Sequence, residues 1–378
     1  MHAMDRQAPL FEALERCEGP QDLRGRFRGC LLGGAIGDAL GAPIEFLHQR
    51  QIVAIHSPRG LTDFAPAYGR IGAITDDTQM TLFTAEALLR RRVATLLGIQ
   101  VDPVELACGA YLRWLATQSE SPTDGVPAGA GLLLGTTALH AQRGPGSTCI
   151  NSLSERPFAS AEPAVNDRKG CGGVMRMAPV GLACVEGGGA AARITQAFDL
   201  GTRFAALTHG HPTGSLAAGA FAMIQAVIAI GAPLEVGVDK AIRYLREFAG
   251  HEEALAALNT ARELADRGVT PSVDAVESLG GGWVAEEALA IGVYAALVAE
   301  TFAAGVLLAV NHGGDSDSTG AIAGNLLGTL HGVDAIPPSW RERVELGDLI
   351  LGMADDLYEA PSWTRDDAER MAGRYPPR

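Results

Sequence analysis

Apolar residues in this chain recur at helical spacing from one end to the other, and no stretch settles into the strict alternation of a half-buried strand. That single property removes sheet-based architectures and leaves a helical fold built from alanine- and glycine-rich segments joined by short connections. Helices are expected from Arg26 to about Gly41, over 77–92, 103–116, 131–140, 174–185, 191–207, 213–230, 234–248 and 252–267. A short one is expected over 272–279, then longer ones over 283–297, 299–310, 318–330 and 340–357, with a frayed end over 366–372. Residues 143–168 lack periodicity and read as a long functional loop. The expectation is one all-α domain over 25–360, preceded by an extension (1–24, with a short helix from Leu10 to Cys17) and followed by a tail over 361–378.

Charge narrows the partners. With a net charge of −14, the chain is not expected to bind a nucleic-acid backbone, although bound divalent cations can invert the local preference for small anions. The six cysteines are scattered without a CxxC pair, and the first eighteen residues lack the apolar run of a signal peptide, so a cytoplasmic protein with reduced thiols is expected. Two apolar stretches, Leu216–Leu234 and Ala288–Val310, are broken by Gln225 and Glu300 respectively and read as buried helices, not membrane spans.

Chemistry concentrates in Asn311-His-Gly-Gly-Asp-Ser-Asp-Ser-Thr-Gly320. Asp315 and Asp317 lie two residues apart among hydroxyls, immediately before a helical pattern. Thr75-Asp76-Asp77-Thr78 repeats the layout. Capping explains either motif alone, since Ser, Thr and Asp favour the N-cap and acids the first turn. Two such starts carry more negative charge than capping needs, and clustered carboxylates beside a core repel unless cations join them. The expectation is that both starts meet around hard-oxygen-loving ions, Mg²⁺ or Mn²⁺. A calcium loop is excluded, because the position that needs a bidentate Glu is Leu326.

Other features are weaker alone. Lys169-Gly-Cys-Gly-Gly173 is a glycine-rich loop opening a helix, a place where free N–H groups can cradle phosphate. Thr208-His209-Gly-His-Pro212 offers two histidines but no further nitrogen or sulfur ligand for zinc. Glu45 alone reads as a loop acid, and no Cys–His–Asn or Ser–His–Asp grouping marks a covalent nucleophile.

In order and spacing, five stretches together resemble the ADP-ribosylglycohydrolase family: Gly29 to Glu45, Thr75 to Met80, Gly170 to Pro179, Thr208-His209 and Gly314 to Gly320. The likeness spans about 25–335 and implies an all-α single-domain fold with a two-metal site. By position it implies that Thr75, Asp76, Asp77, Asp315, Asp317 and Ser318 hold two divalent cations, Mg²⁺ or Mn²⁺. It places Glu45 on the loop beside the metals, Arg168, Lys169, Gly170, Cys171 and Gly172 along the diphosphate, Gly129 and Gly131 near the ribose, and His209 among the substrate-binding residues. Ser318 stands where many members have Thr, and Cys171 where many have Asn, which removes a polar contact; 143–168 and 1–24 do not match.

The resemblance implies hydrolysis at the anomeric carbon of an ADP-ribose conjugate, carried by a modified protein or a small molecule. Glu45, Asp315 or Asp317 would serve as general base. The aglycone stays open between arginine, serine, an acetyl ester, a nucleobase and another ADP-ribose. Two other classes stand beside this reading: a non-catalytic ADP-ribose-binding or immunity protein, and a metal-dependent nucleotide phosphohydrolase, which would release AMP or ribose phosphate.

Overall fold

A computed structural model describes residues 22–118, 131–156, 160–184 and 189–377. The expected helix at Leu10–Cys17 and the candidate Gly129 lie outside these residues. The first half of the fold comprises α1 (Leu23–Gly41), α2 (Gln49–Ile55), α3 (Asp76–Leu96), α4 (Pro103–Thr117), α5 (Gly131–Leu134), α6 (Ser147–Ser154), α7 (Ala178–Ala183), α8 (Ala190–Ala206) and α9 (Pro212–Ala229). The second comprises α10 (Leu234–Leu245), α11 (Glu252–Asp266), α12 (Val273–Glu277), α13 (Ala285–Val298), α14 (Phe302–Val310), α15 (Ser316–His331), α16 (Pro338–Arg343), α17 (Gly347–Glu359) and α18 (Arg365–Met371). Between α2 and α3 a minimal antiparallel hairpin pairs β1 (Pro66–Ala67) with β2 (Arg70–Ile71).

The starts follow from capping chemistry. Asp22 accepts the Gly25 N–H at 2.7 Å, Asp102 the Val104 N–H at 2.6 Å with Pro103 just inside α4, and Thr301 the Ala304 N–H at 3.2 Å. At the centre α1 and α15 run antiparallel in backbone contact. A Cβ on Gly29 would stand 2.1 Å from the Gly328 carbonyl oxygen, one on Gly33 2.4 Å from that of Gly324, and one on Gly37 1.9 Å from that of Gly320. Gly41 continues the seam onto the backbone of Ser316 and Asp317. The C-terminal end of α1 therefore touches the N-terminal end of α15, the end that carries the acids.

Several expectations are revised. The stretch over 143–168 contains α6, whose Cys149 and Leu153 are buried. The helix expected over 131–140 is only α5 followed by a short 3₁₀ turn at Thr137–Leu139. The one expected over 340–357 is two, because Leu346 sits at φ 58° between α16 and α17. The end is not frayed: Tyr375 is fully buried and stacks on Trp363, and the Pro376 carbonyl accepts from buried Arg90 at 3.0 Å. Helix α9 is long and apolar enough to cross a membrane, yet 94% of its apolar window is buried inside the fold. The stretch over 288–310 is interrupted between α13 and α14.

Candidate functional site

Three helix ends bring the acids together. Thr75 is the N-cap of α3, its hydroxyl accepting the Asp77 N–H at 3.2 Å, which sets Asp76 and Asp77 in the first turn. Asp315 is the N-cap of α15 and accepts the Ser318 N–H at 3.3 Å; Asp317 accepts the same N–H at 2.9 Å. From the end of α1, the Glu45 N–H donates to the Gly41 carbonyl at 3.0 Å, and Ile44 beside it is fully buried. Glu45 thus hangs from the end of α1 by a turn and faces the charges of Asp317, Asp315 and Asp76.

The electrostatics are those of crowded carboxyls. Burial first, and then the charge of Asp317, holds Asp76, Asp77 and Asp315 well above the usual carboxylate range. The same two causes push Glu45 up to about 10, with Asp315 and Asp76 adding to the rise. Both acidic helix starts and Glu45 therefore share one electrostatic field.

The donor set suits hard divalent cations. Asp76, Asp77, Asp315 and Asp317 are each under 5% exposed, and Asp77 Oδ1 is buried with no hydrogen-bond partner. An orphaned acceptor in a buried acidic cluster is costly unless a cation or a proton meets it. Among the described residues no three His, Cys, Asp or Glu side chains already converge as a finished metal-ligand group. Asp315 and Asp317 are turned instead to the Ser318 N–H, and Asp76 to the Gly146 N–H.

A residue absent from the sequence-derived set holds the first cluster in place. Asp38, fully buried on α1, accepts the Thr75 N–H at 2.9 Å, the Thr78 N–H at 3.1 Å and the Thr78 hydroxyl. Burial, then Asp317, pushes it up to about 7. Its place in the Gly37-Asp38 step of a glycine-lined helix was the available signal.

The glycine loop lies alongside. The Cys171 N–H donates to the Trp283 carbonyl at 3.2 Å and the Ala285 N–H to the Lys169 carbonyl at 2.8 Å, so the loop is tied to the start of α13. The Cys171 thiol donates to Asp315 Oδ2 at 2.8 Å. Burial and the neighbouring Asp315 raise the thiol's pKa, keeping it protonated as a donor.

His209 lies under this loop. Its ring atoms are 3.5, 3.4 and 3.3 Å from where side chains would start at Gly170, Gly172 and Gly173. Burial pushes its pKa down to about 3, so it is a neutral ring, tied through Nδ1 to the Thr208 hydroxyl at 2.9 Å. The Lys169 ammonium is committed to Glu253 and Glu286, at 2.7 and 2.5 Å. Arg168 lines a polar surface cavity of about 380 Å³ with Ser147, Asn151, Arg156 and Asn166. Gly131, at φ 66°, faces Arg90, Glu86 and the Arg374 carbonyl; none of these nearest neighbours is an acid of the cluster.

Comparison with known proteins matches the chain to one family. The chain is 26% identical over 328 residues to the ADP-ribosyl-[dinitrogen reductase] glycohydrolase of Rhodospirillum rubrum, covering 85% of this chain and 90% of that protein. It is 25% identical over 361 residues to the mouse (Mus musculus) ADP-ribosylhydrolase ARH3, covering 85% and 87% respectively. A solved ADP-ribosylglycohydrolase-related protein complex superimposes with a TM-score of 0.57 at 25% identity, over 90% of this chain and 99% of that one. The family profile described as ADP-ribosylglycohydrolase matches residues 19–367, and the chain belongs to that family.

Proposed function

We propose that this protein is a hydrolase that releases ADP-ribose from a modified protein or a small-molecule conjugate by cleaving an N- or O-glycosidic bond. The observation that carries the reading is the meeting of Asp76, Asp77, Asp315 and Asp317 with Glu45 in one buried, mutually repelling cluster beside a glycine loop. The relatives support it, since those compared here are named for removing ADP-ribose, one of them from a protein. Thr75, Asp76, Asp77, Asp315, Asp317 and Ser318 would hold two divalent cations, Mg²⁺ or Mn²⁺. Bound there, such ions supply Lewis-acid orientation of ribose hydroxyls and a more acidic water.

The chain's own groups do the rest. Glu45 is half-buried at the edge of the cluster, on the turn that follows α1, where it can exchange a proton with a group at the reacting centre. Asp315 and Asp317, ionised once cations offset their repulsion, would stabilise the positive charge that grows at an oxocarbenium-like carbon. The glycine loop is braced from below by the neutral His209 ring.

The deciding experiment incubates the purified protein with Mg²⁺ or Mn²⁺ and a panel of conjugates: ADP-ribosyl-arginine, ADP-ribosyl-serine, an O-acetyl ester, a nucleobase and poly-ADP-ribose. Release of intact ADP-ribose from at least one member is expected. Appearance of AMP instead would identify a phosphohydrolase, and tight ADP-ribose binding with no turnover a binding protein.

A further inference from the structure

The hairpin between α2 and α3 is too small to matter to the core, yet its tip is aimed at the acids. Tyr68 and Gly69 join β1 to β2 with φ 49° and 79°, both left-handed, as a tight two-residue turn requires. Gly takes that conformation freely; for tyrosine it is uncommon and strained. The surroundings hold it there. Arg70 donates to Glu345 at 2.7 Å, and Glu345 is buried, with its N–H on the Gly72 carbonyl at 2.9 Å. Arg143 also donates to Glu345, at 3.2 Å, and lies over the Tyr68 ring, 5.3 Å from its centroid.

Across from the phenol stands Gly144, at φ 71°. The point where a side chain would begin at Gly144 is 2.9 Å from the Tyr68 hydroxyl, 3.8 Å from Glu45 Oε2 and 3.9 Å from Asp76 Oδ1. Its flanks are fixed to the same acid: the Asp76 N–H donates to the Arg143 carbonyl at 2.9 Å, and the Gly146 N–H to Asp76 Oδ2 at 3.2 Å. A small cradle is thus lined by a phenol, two carboxyls and bare backbone. Tyr68 is 43% exposed, and among the described residues its hydroxyl has no hydrogen-bond partner.

We propose that Tyr68 is a substrate-contacting residue of this site, whose phenol donates a hydrogen bond to a hydroxyl oxygen seated in the Gly144 cradle beside Glu45 and Asp76. The inference rests on the function proposed above. Burial, then the charges of Glu45 and Asp317, raises the phenol's pKa, so it stays protonated. Its neighbour must accept from a phenol while lying beside two carboxyls. A hydroxyl can accept from the phenol and either donate to or accept from a carboxyl. A phosphate would bring further negative charge into a cluster of acids that already repel one another. Two sources supply such a group: a ribose hydroxyl of ADP-ribose, or the attacking water.

Tyr68→Phe removes only the hydroxyl, keeping the ring, the turn and the contact with Arg143, so its melting curve should match the wild type. Two readouts separate the sources: calorimetry with free ADP-ribose in Mn²⁺, and steady-state release from the conjugate the wild type cleaves. If the oxygen belongs to ribose, the Kd for ADP-ribose rises about tenfold, the size of one hydrogen bond. If it belongs to water, that Kd stays within about twofold while kcat falls about tenfold or more. An active wild type whose Tyr68→Phe variant keeps both constants within twofold overturns the inference alone. A wild type that neither binds nor releases ADP-ribose overturns the functional reading and this inference with it.

Discussion

Asp38 shows how a residue can govern a site that it does not enter. Its carboxylate is consumed by donors at the start of α3, so its effect is to fix where Thr75, Asp76 and Asp77 lie. Asp38→Ala leaves the buried Thr75 and Thr78 N–H groups unmatched, at about 1–3 kcal/mol each. The expected outcome is a lower melting temperature together with loss of any stabilisation by Mn²⁺, read from melting curves with and without the ion. Asp38→Asn keeps one acceptor oxygen and should recover most of the fold. An Asp38→Ala variant that Mn²⁺ still stabilises as strongly as the wild type would remove Asp38 from this role. At this scale the sequence was legible where a motif opened a helix, as Thr75 to Asp77 opens α3 and Asp315 to Ser318 opens α15. It was not legible at Asp38, where an acid inside a glycine-lined helix points across to another element. Nor was it at Tyr68 and Gly144, whose use depends on left-handed backbone in stretches without periodicity.

Glycines set the spacing of the elements. Their abundance in the sequence pointed to close helix packing, but not to the partners, because Gly29, Gly33 and Gly37 meet residues nearly three hundred positions away. Helix existence was readable from periodicity over nearly the whole chain. The breaks at Leu346 and in 131–140 were not, since local conformation decided them and apolar spacing continued across. The consequence for substitution is a contrast between two helical glycines. Gly37→Ala drives a methyl to 1.9 Å from the Gly320 carbonyl, a backbone atom that cannot yield without shifting α15. Overpacking of about 1–3 kcal/mol or more outweighs the gain of up to ~1 kcal/mol from removing a mid-helix glycine. Gly109→Ala on α4 meets nothing nearer than the end of the Arg113 side chain at 3.4 Å, so the gain should dominate. Denaturant midpoints should therefore move in opposite directions, and a neutral Gly37→Ala would contradict the tight seam.

Taken whole, the molecule buries a core that runs from Phe27 to Tyr375 and leaves its most repulsive charges at the place where three elements end. Such a fold gains from any ion that binds only its native form. At a hundredfold excess over Kd the gain is about 2.7 kcal/mol, a rise on the order of 5 °C. Melting in millimolar Mg²⁺ or Mn²⁺ should exceed melting in chelator by that order, and coincident curves would count against the proposed ion sites. The antiparallel seam between α1 and α15 also carries a consequence for the life of the chain before it is complete. A ribosome makes α1 among the first of the described elements and α15 more than 270 residues later. Until then the glycine face of α1 has no surface to meet, and Asp317 is not yet present to complete the cluster. Contacts so distant in sequence are slow to form and leave partly folded chains exposed. Nascent chains ending before α15 should therefore be clients of chaperones and easy prey for proteases, and the acidic site should be among the last parts of the protein to come into existence.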